Sequence, residues 1–511
     1  MEEGNGYSAT VVQASLMTVA AVFVGLLLIR KLKARKRLPP GPTPWPVVGN
    51  LPLLGPLPHW SLAELAKQYG PLMSMRLGSI NYIIVSSSKY AEEVLKTNDI
   101  VWASRPRMSQ GDLLCFGSND IAYSPYGPRW RYARKVFTLE LLTTKRLADF
   151  QKSRRKEVLS ALNAVVDECA GGRAVRMDLV LGKMIMTLVS RMLLNEGKLG
   201  AQTEALKDSD DFQEVVKELF ELLGVFNLGD YIPWLDRFDL QVYKKRMRIA
   251  AQKIDGFLQG IIDDHIENHK LQTSENQEYV QDIVDVLLTR PRDADGQNLT
   301  HVEMNGIMED VMFGGTDTST NTIEWALSEL IRNPQVLQRA QEELDFTVGR
   351  ERIVDESDIP NLPYLKAVVK ETFRLHPVAP LLVPHESTDV CKVGGYAIPA
   401  KTRLFVNLHA IHKDPEVWKR PLDFFPERFL TQDNGTDFDL LPFGSGRRCA
   451  RGRIWAWFRS IPSSLFCFTL ATGGCLESRR SKTWTRVRDS ASLSRRNFLC
   501  MQLPFLGYQG M

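Results

Sequence analysis

The chain has 511 residues, of which 44% are hydrophobic and 24% are charged, the composition of an ordinary globular protein. Its net charge of +4 hides an asymmetry, because residues 450–511 carry ten Lys or Arg and only two Asp or Glu. The remainder is net acidic, which argues against a nucleic-acid-binding surface. The seven cysteines are odd in number and show no CxxC spacing, which argues against a disulfide framework or a zinc site and favours a reducing compartment.

An apolar run from Val11 to Ile29 opens the chain and is about as long as a helix that crosses a bilayer. Acidic residues precede it, and a basic segment, residues 30–37, follows it. Because the basic flank of a membrane helix stays in the cytosol, residues 1–37 are predicted to form a single anchor with the bulk of the chain on the cytosolic side. A cleaved signal peptide is the alternative, but it would have basic residues before the apolar run and a small-residue cleavage site after it.

Five prolines between Leu38 and Asn50 predict a stiff, extended hinge, residues 38–50, that leads into one large domain, residues 51–449. Segments with the apolar period of a helix begin at Leu147, Asp211 and Pro334, and β-like pieces begin at Leu72 and Gly394. The balance predicts a mainly α fold with a minor β-sheet.

The segment FGGTDTSTNTIEW, Phe313 to Trp325, lies inside a helical stretch that begins near Thr300. Each glycine inside a helix costs about 1 kcal/mol relative to alanine, so such a helix is expected to bend or to let another group approach closely. Asp317 and Thr318 offer an acid beside a hydroxyl at this point. Tight packing of a Thr-rich helix on a neighbour is the alternative.

Four further patterns each have an ordinary structural meaning when taken alone. Glu371 and Arg374 are three residues apart in KETFRLHP, a spacing typical of a surface ion pair on a helix. PFGSGRRC is a glycine-rich loop that ends in a thiol, and it lacks the Lys-Ser/Thr of a P-loop. The other two patterns are DFFPERF, with Arg428, and PRWRYARK, with Trp130 and Arg134 on one helix face.

The order and spacing of these five motifs resemble the cytochrome P-450 family, of the plant microsomal type, from the anchor to Arg448. The resemblance implies the cytochrome P-450 fold and a haem b whose iron is ligated by a Cys thiolate, here Cys449, which favours O–O cleavage. It implies that Asp317 and Thr318 relay protons during oxygen activation. It also implies a buried network that supports the haem-binding core, Glu371, Arg374 and Arg428, and partners of the haem propionates, Trp130, Arg134, His385 and Arg448.

The thiol of this chain lies out of register with the family's loop, F-x-x-G-x-R-x-C-x-G. Phe443, Gly446 and Arg448 match the pattern, but the cysteine position falls on Ala450, and Cys449 comes one residue early. Gly452 fits the last position of the pattern, but nothing after it resembles the family. A reading-frame change after Arg448 would explain both departures, because restoring one base lets permitted codons read Arg-Arg-Val-Cys-Ala-Gly. We therefore predict that residues 450–511 are out of frame.

The resemblance implies monooxygenation with O2 and with electrons from NADPH, delivered by NADPH–cytochrome P-450 reductase at the endoplasmic reticulum membrane. The substrate is expected to touch the Ser104–Tyr126 loop, the helix near Phe313–Thr316 and the Val378–Val383 turn, where residues such as Leu113, Leu114 and Phe116 predict an apolar ligand. NLGDYIPWLDRF resembles segments of plant phenolic and flavonoid hydroxylases, which favours a phenylpropanoid or flavonoid over a fatty acid. An oxygen-independent isomerase or dehydratase on the same fold and a haem-free membrane protein are the alternatives.

Overall fold

The computed structural model describes residues 38–450, apart from residues 142, 171–174, 195–209, 272–281, 290–295, 297, 350–351, 353 and 432–435. The predicted anchor and residues 451–511 of the predicted out-of-frame tail lie outside the described residues. Within the described part, the α-helices are Pro58–Tyr69 (α1), Ser88–Glu92 (α2), Asp99–Trp102 (α3), Ser109–Leu113 (α4), Pro128–Val136 (α5), Thr144–Asp149 (α6), Gln151–Ala170 (α7), Met177–Leu193 (α8), Asp210–Leu223 (α9), Tyr243–Leu271 (α10), Ile283–Thr289 (α11), His301–Arg332 (α12), Pro334–Thr347 (α13), Pro363–Leu375 (α14) and Leu408–Ile411 (α15).

The long helix α12 runs through the helical half of the molecule and forms one wall of the candidate site. Thr300 caps its first turn: the Thr300 hydroxyl accepts from the Glu303 N–H, and the Glu303 carboxylate accepts from the Thr300 N–H. This confirms the predicted start near Thr300. Helices α7 to α11 pack around α12 in one apolar core that contains residues such as Leu181, Leu258 and Ile307.

A small sheet forms the other part of the fold. Its strands are Leu72–Leu77 (β1), Ile80–Val85 (β2), His385–Glu386 (β3) and Arg403–Val406 (β6), in the order β1-β2-β6-β3. β2 and β6 are parallel, and the other pairs are antiparallel. A separate hairpin joins Cys391–Val393 (β4) to Tyr396–Ile398 (β5). The mainly α fold with a minor β-sheet is thereby confirmed.

The proline-rich segment, residues 38–50, is bound to the edge of this sheet. Ser74 donates its N–H to the Pro40 carbonyl at 2.8 Å and its hydroxyl to the Pro39 carbonyl at 2.6 Å. Asn50 accepts from the Arg76 N–H at 2.9 Å through its side chain. Because proline cannot donate to a ladder, such a segment suits an edge position. Residues 38–50 thus lie as an extended segment along the folded domain.

Across the described residues, none of the helices is both long enough and apolar enough to traverse a lipid bilayer.

Candidate active site

A cavity of about 320 Å³ lies between α12 and the loop of residues 442–450. Apolar groups and backbone line most of its wall. Polar side chains enter it at one end and along α12. The lining includes Ile121, Ala122, Phe137, Val311, Gly314, Gly315, Thr318, Phe373, Val378, Leu382, Phe443, Gly444 and Ala450.

Three arginines and a histidine converge at the polar end of this cavity: Arg105, Arg134, His385 and Arg448. Burial lowers the pKa of Arg448 to about 8 and the pKa of Arg105 to about 10, and the positive charge of Arg134 lowers both further. Crowded cations away from water are costly unless an anion joins them. A cofactor with two carboxylates, such as haem with its propionates, fits this end of the cavity.

Arg105 is a member of this group that sequence reasoning missed. It is buried, and it donates from Nη1 to the Val383 carbonyl at 2.7 Å and from Nε to the Ala122 carbonyl at 2.9 Å. In the sequence, Arg105 is marked only by its position between the segment Trp102–Ser104 and a proline. Arginine is common in loops, so that signal could not have separated Arg105 from the exposed Arg107.

Arg448 and Trp130, both predicted partners of the haem propionates, contact each other. Arg448 donates to the carbonyls of Ala103, Ile121 and Ser124, and its guanidinium lies 4.1 Å from the Trp130 ring centre. The Trp130 N–H donates to the Ile121 carbonyl at 3.0 Å. Trp130 therefore supports Arg448 from behind rather than lining the cavity, and its contact with a propionate stays a prediction.

His385 lines the cavity on strand β3, and burial lowers its pKa well below the usual value. The Nδ1 atom lies 2.7 Å from the Trp102 carbonyl, which can only accept, so Nδ1 carries the proton. Nε2 of the neutral ring is then an acceptor. His385 can therefore donate to a carboxylate only when the ring is protonated, for example when an anion is bound beside it.

The predicted Glu371, Arg374 and Arg428 network is present and buried. Arg374 donates from Nε and Nη2 to the two carboxylate oxygens of Glu371, at 2.8 Å each, and both side chains are 0% exposed. Arg428 donates from Nε to Glu371 at 3.2 Å. Arg374 also donates to the carbonyls of His412 and Pro421, so it joins α14 to the irregular chain before the candidate cofactor loop.

Gly314 of α12 faces open space rather than a closely packed neighbour. A Cβ added to Gly314 would meet no atom within 4 Å. The Thr318 hydroxyl donates to the Gly314 carbonyl, four residues earlier, at 2.8 Å. The hydroxyls of Ser319 and Thr322 likewise donate to the carbonyls four residues before them. The helix is continuous from His301 to Arg332, so the glycines make room for the cavity without breaking the helix.

Asp317 and Thr318 open onto different cavities. Thr318 lines the first cavity, whereas Asp317 lines a second, larger cavity of about 1290 Å³ together with Asn321 and Glu324. Successive residues of an α-helix point about 100° apart, which accounts for the separation. Burial raises the pKa of Asp317 to about 6, opposed by a hydrogen bond from Asn321. Asp317 therefore takes up and releases a proton near neutral pH.

The raised pKa of Asp317 makes a stability prediction. The folded protein favours the neutral form of Asp317, whose pKa is about 6, more strongly than the unfolded chain does. The stability that this preference contributes is lost as pH rises from about 4 to about 6. Asp317→Asn cannot ionise. We expect the difference in unfolding free energy between Asp317→Asn and the parent to increase in favour of the variant by about 2–3 kcal/mol from pH 4 to pH 7, since one pKa unit is about 1.4 kcal/mol. Urea unfolding at both pH values measures this.

The exposed Glu342, on α13, provides a charge-removal control through Glu342→Gln. A gain of equal size in this control, or no gain in Asp317→Asn, would contradict the assignment of the pH dependence to Asp317.

The loop of residues 442–450 turns sharply at Gly446, which has φ +71°. A Cβ there would lie 2.3 Å from the Leu95 carbonyl oxygen, so only glycine fits. Beyond the turn, Ala450 lines the cavity, and Cys449 is not among its lining residues. The Cys449 Sγ lies 3.9 Å from the carbonyl oxygen of Ala450. The structure thus brings Ala450, rather than the predicted ligand Cys449, to the cavity.

The expected substrate-contacting segments meet the cavity in part. The Val378–Val383 turn contributes Val378 and Leu382, and the Ser104–Tyr126 loop contributes Ile121 and Ala122. Leu114 was expected on the wall, but it is buried in the helical core, with Leu113 and Phe116 packed against that core. The apolar character of the wall agrees with the expectation, although different residues supply it.

Comparison with known proteins places this geometry in a family. The family model described as Cytochrome P450 matches residues 39–456. A flavonoid 3'-monooxygenase of Crocosmia x crocosmiiflora is 39% identical, with 86% of each chain covered. A flavonoid 3',5'-hydroxylase of Solanum melongena is 38% identical, covering 83% of this chain and 84% of the relative, and cytochrome P450 703A2 of Arabidopsis thaliana is 40% identical, covering 91% and 94%.

A solved structure of a zebra fish cytochrome P450 with progesterone superposes with a TM-score of 0.67 at 27% identity, covering 80% of this chain and 91% of that one. Members of the family are monooxygenases that hold haem by a cysteine thiolate and act with O2 and a redox partner reductase. The chain belongs to the cytochrome P450 family.

Proposed function

We propose that this protein hydroxylates a largely apolar phenolic plant metabolite of the flavonoid type. The observation that carries the substrate class is the cavity wall, to which Ile121, Val311 and Leu382 contribute apolar side chains. Two relatives of matching length are named as flavonoid hydroxylases, which supports the same class. A fatty acid is the second candidate, because an apolar wall alone would also accept an alkyl chain.

Bound haem supplies the activation of O2 with electrons from the reductase. Arg105, Arg134 and Arg448, which line the cavity, would hold the haem carboxylates. Thr318 presents its hydroxyl to the cavity, where it holds a proton donor close to the reacting atoms. Asp317 exchanges protons with the second cavity. Asp317 and Thr318 are consecutive residues of α12, so the acid lies next to the hydroxyl in the chain.

The substrate proposal is tested by turnover of two substrate classes in yeast microsomes that contain a plant reductase and the chain with its reading frame restored after Arg448. We expect NADPH-dependent hydroxylation of a flavanone with a kcat/KM at least about tenfold above that of a medium-chain fatty acid, a difference of about 1.4 kcal/mol. An equal or higher value for the fatty acid would overturn the flavonoid assignment. Product formed without NADPH would overturn the monooxygenase assignment.

In the chain with its reading frame restored, Thr318→Ala is expected to lower coupling between electron consumption and product formation by at least about threefold while haem content stays unchanged. Loss of a hydroxyl that holds a proton donor slows productive turnover, so more electrons leave as hydrogen peroxide. The measurement compares NADPH consumed, product and peroxide in haem-loaded protein. Thr320→Ala removes a similar hydroxyl that lines the second cavity, and it serves as the control. Unchanged coupling in Thr318→Ala would remove Thr318 from the mechanism.

We propose that the protein is attached to the endoplasmic reticulum membrane by residues 1–37, with the domain on the cytosolic side. An apolar surface supports a membrane-facing side of the domain: Trp45, Val47, Trp234, Phe238 and Leu240, all more than half exposed. Both contributing segments meet the β1–β2 turn, because Gly78 donates to the Val48 carbonyl and Ser79 to the Tyr231 carbonyl. Exposed tryptophans are typical of the membrane interface.

Deletion of residues 1–37 is expected to convert a carbonate-resistant membrane protein into one that a carbonate wash releases, because the apolar run of about 20 residues is removed. Sedimentation of both forms before and after the wash measures the change. A deletion product that stays in the pellet after the wash would show a second embedded segment and contradict the single anchor.

We propose, further, that residues 450–511 are translated from a shifted reading frame. The support is the position of the cysteine one residue out of register and a tail with ten basic and two acidic residues, most of which lies beyond the family match that ends at residue 456. Sequencing the transcript across the codons of Gly446 to Gly452 tests this. A transcript with the frame intact and no missing base would overturn it.

A further inference from the structure

We propose that Ala450 occupies the position from which the haem ligand must come, and that the chain as it stands carries its thiol one residue away, outside the cavity. This inference rests on the proposed haem-dependent function. Its consequence is that the protein does not form a thiolate-ligated haem centre until a thiol stands at position 450.

The backbone of the loop fixes which side chain faces the cavity. The Cys449 N–H donates to the Gly446 carbonyl at 3.1 Å, and the Ala450 N–H donates to the Phe443 carbonyl at 2.9 Å. Arg134 donates to the Cys449 carbonyl. Cys449 has φ −51° and ψ 132°, an extended conformation in which neighbouring side chains point to different sides. Turning the Cys449 side chain inward would break this set of bonds.

The loop cannot slide by one residue to correct the register. Gly446 is the fixed point, because its positive φ and its contact with the Leu95 carbonyl exclude any other residue there. The Arg447 N–H donates to the Asp99 carboxylate at 2.9 Å, and Arg448 donates to three carbonyls across the cavity. A slip would place Arg447 at the Arg448 position and remove the glycine from the turn.

The other described cysteines cannot replace the missing ligand. Cys115 lies in the helical core, and Cys391 lies on strand β4, and neither lines the cavity. Burial raises the pKa of both thiols, that of Cys115 well above its usual value, so both stay protonated at neutral pH. A metal ligand has to be a thiolate. Among the described residues, neither Cys115 nor Cys391 can therefore supply the thiolate at the cavity.

The test uses the full chain and three variants: Cys449→Ala, Ala450→Cys and the double variant C449A/A450C. Each is purified from cells supplied with a haem precursor, and haem per chain and the spectrum of the reduced, carbon monoxide-bound protein are measured. We expect A450C and C449A/A450C to show the thiolate-type Soret band at least tenfold more strongly than the parent. Cys449→Ala is expected to match the parent.

Two outcomes would overturn the inference. One is a thiolate band in the parent that Cys449→Ala removes, since Cys449 would then be the ligand. The other is the lack of a thiolate band in both Ala450→Cys variants, because a thiol at the iron-facing position would then have no effect. Tryptophan fluorescence unfolding of all four chains checks that they share one fold. The lack of a thiolate band in both Ala450→Cys variants overturns the inference when A450C unfolds like the parent.

The flavanone assay separates this inference from the proposed function. A thiolate band in A450C without hydroxylation would leave the inference standing and remove the function. Hydroxylation by the parent that Cys449→Ala abolishes would keep the function and remove the inference.

Discussion

Replacing Glu371 by Ala is expected to lower the free energy of unfolding by about 3–5 kcal/mol and to leave little folded protein. The carboxylate of Glu371 accepts from Arg374 and Arg428, and the first of these pairs is completely buried. Removing one partner leaves a buried guanidinium uncompensated, which typically costs this much. Domains are stable by only about 5–15 kcal/mol, so the loss is large. Soluble yield and urea unfolding followed by tryptophan fluorescence measure it.

The matched control is Glu64→Ala, which removes the same residue type from an exposed i,i+3 pair with Lys67 on α1. Exposed pairs of this kind contribute about 0–1 kcal/mol, so this variant should unfold like the parent. Similar losses of unfolding free energy in the two variants would contradict the prediction that burial makes the Glu371 network more stabilising than an exposed pair.

Arg448→Ala is expected to lower the free energy of unfolding by about 2–4 kcal/mol and, when combined with A450C, to prevent haem uptake. Arg448 donates to the carbonyls of Ala103, Ile121 and Ser124, so its removal leaves buried acceptors without a partner. Each buried group left unsatisfied costs about 1–3 kcal/mol, reduced where water enters. The haem carboxylates also lose one of three arginines. Urea unfolding of the haem-free chain separates the first effect from the second.

Arg447→Ala tests the neighbouring arginine, which is half-exposed and pairs with Asp99 at 3.1 Å. We expect a change below about 1 kcal/mol and no effect on haem uptake by A450C, because Arg447 does not line the cavity. An effect as large as that of Arg448→Ala would show that the loop as a whole, and not the convergent guanidinium, carries the stability.

Local patterns in the sequence were sufficient for much of the fold. The helical stretch that begins near Thr300 was predicted from the sequence, and the structure adds the two capping bonds between Thr300 and Glu303. The Glu371 and Arg374 pair followed from helical spacing, since residues three apart share a face. The β-like piece at Leu72 became β1 and β2. In each case the interaction joins residues close in the chain, so the sequence contains both partners within one window.

The proline-rich segment shows where local reasoning stopped. Its composition correctly excluded a helix, but the sequence could not show that Ser74 and Arg76 would bond to it. Those contacts cross more than 20 residues, and extended backbone has no partner of its own. Whether such a segment hangs free or joins a sheet edge depends on which strand is left unpaired.

The sequence by itself determined the family motifs, the helical class, the buried acid–arginine network and the mismatch between Cys449 and Ala450. Only the tertiary structure decided that Arg105 joins Arg134 and Arg448 around one cavity, that Asp317 and Thr318 open onto different cavities, and that Ala450 faces the first of them. The reason is physical. Motifs are set by covalent spacing, whereas a cavity is formed by side chains that are hundreds of residues apart and by the direction each takes from its local backbone.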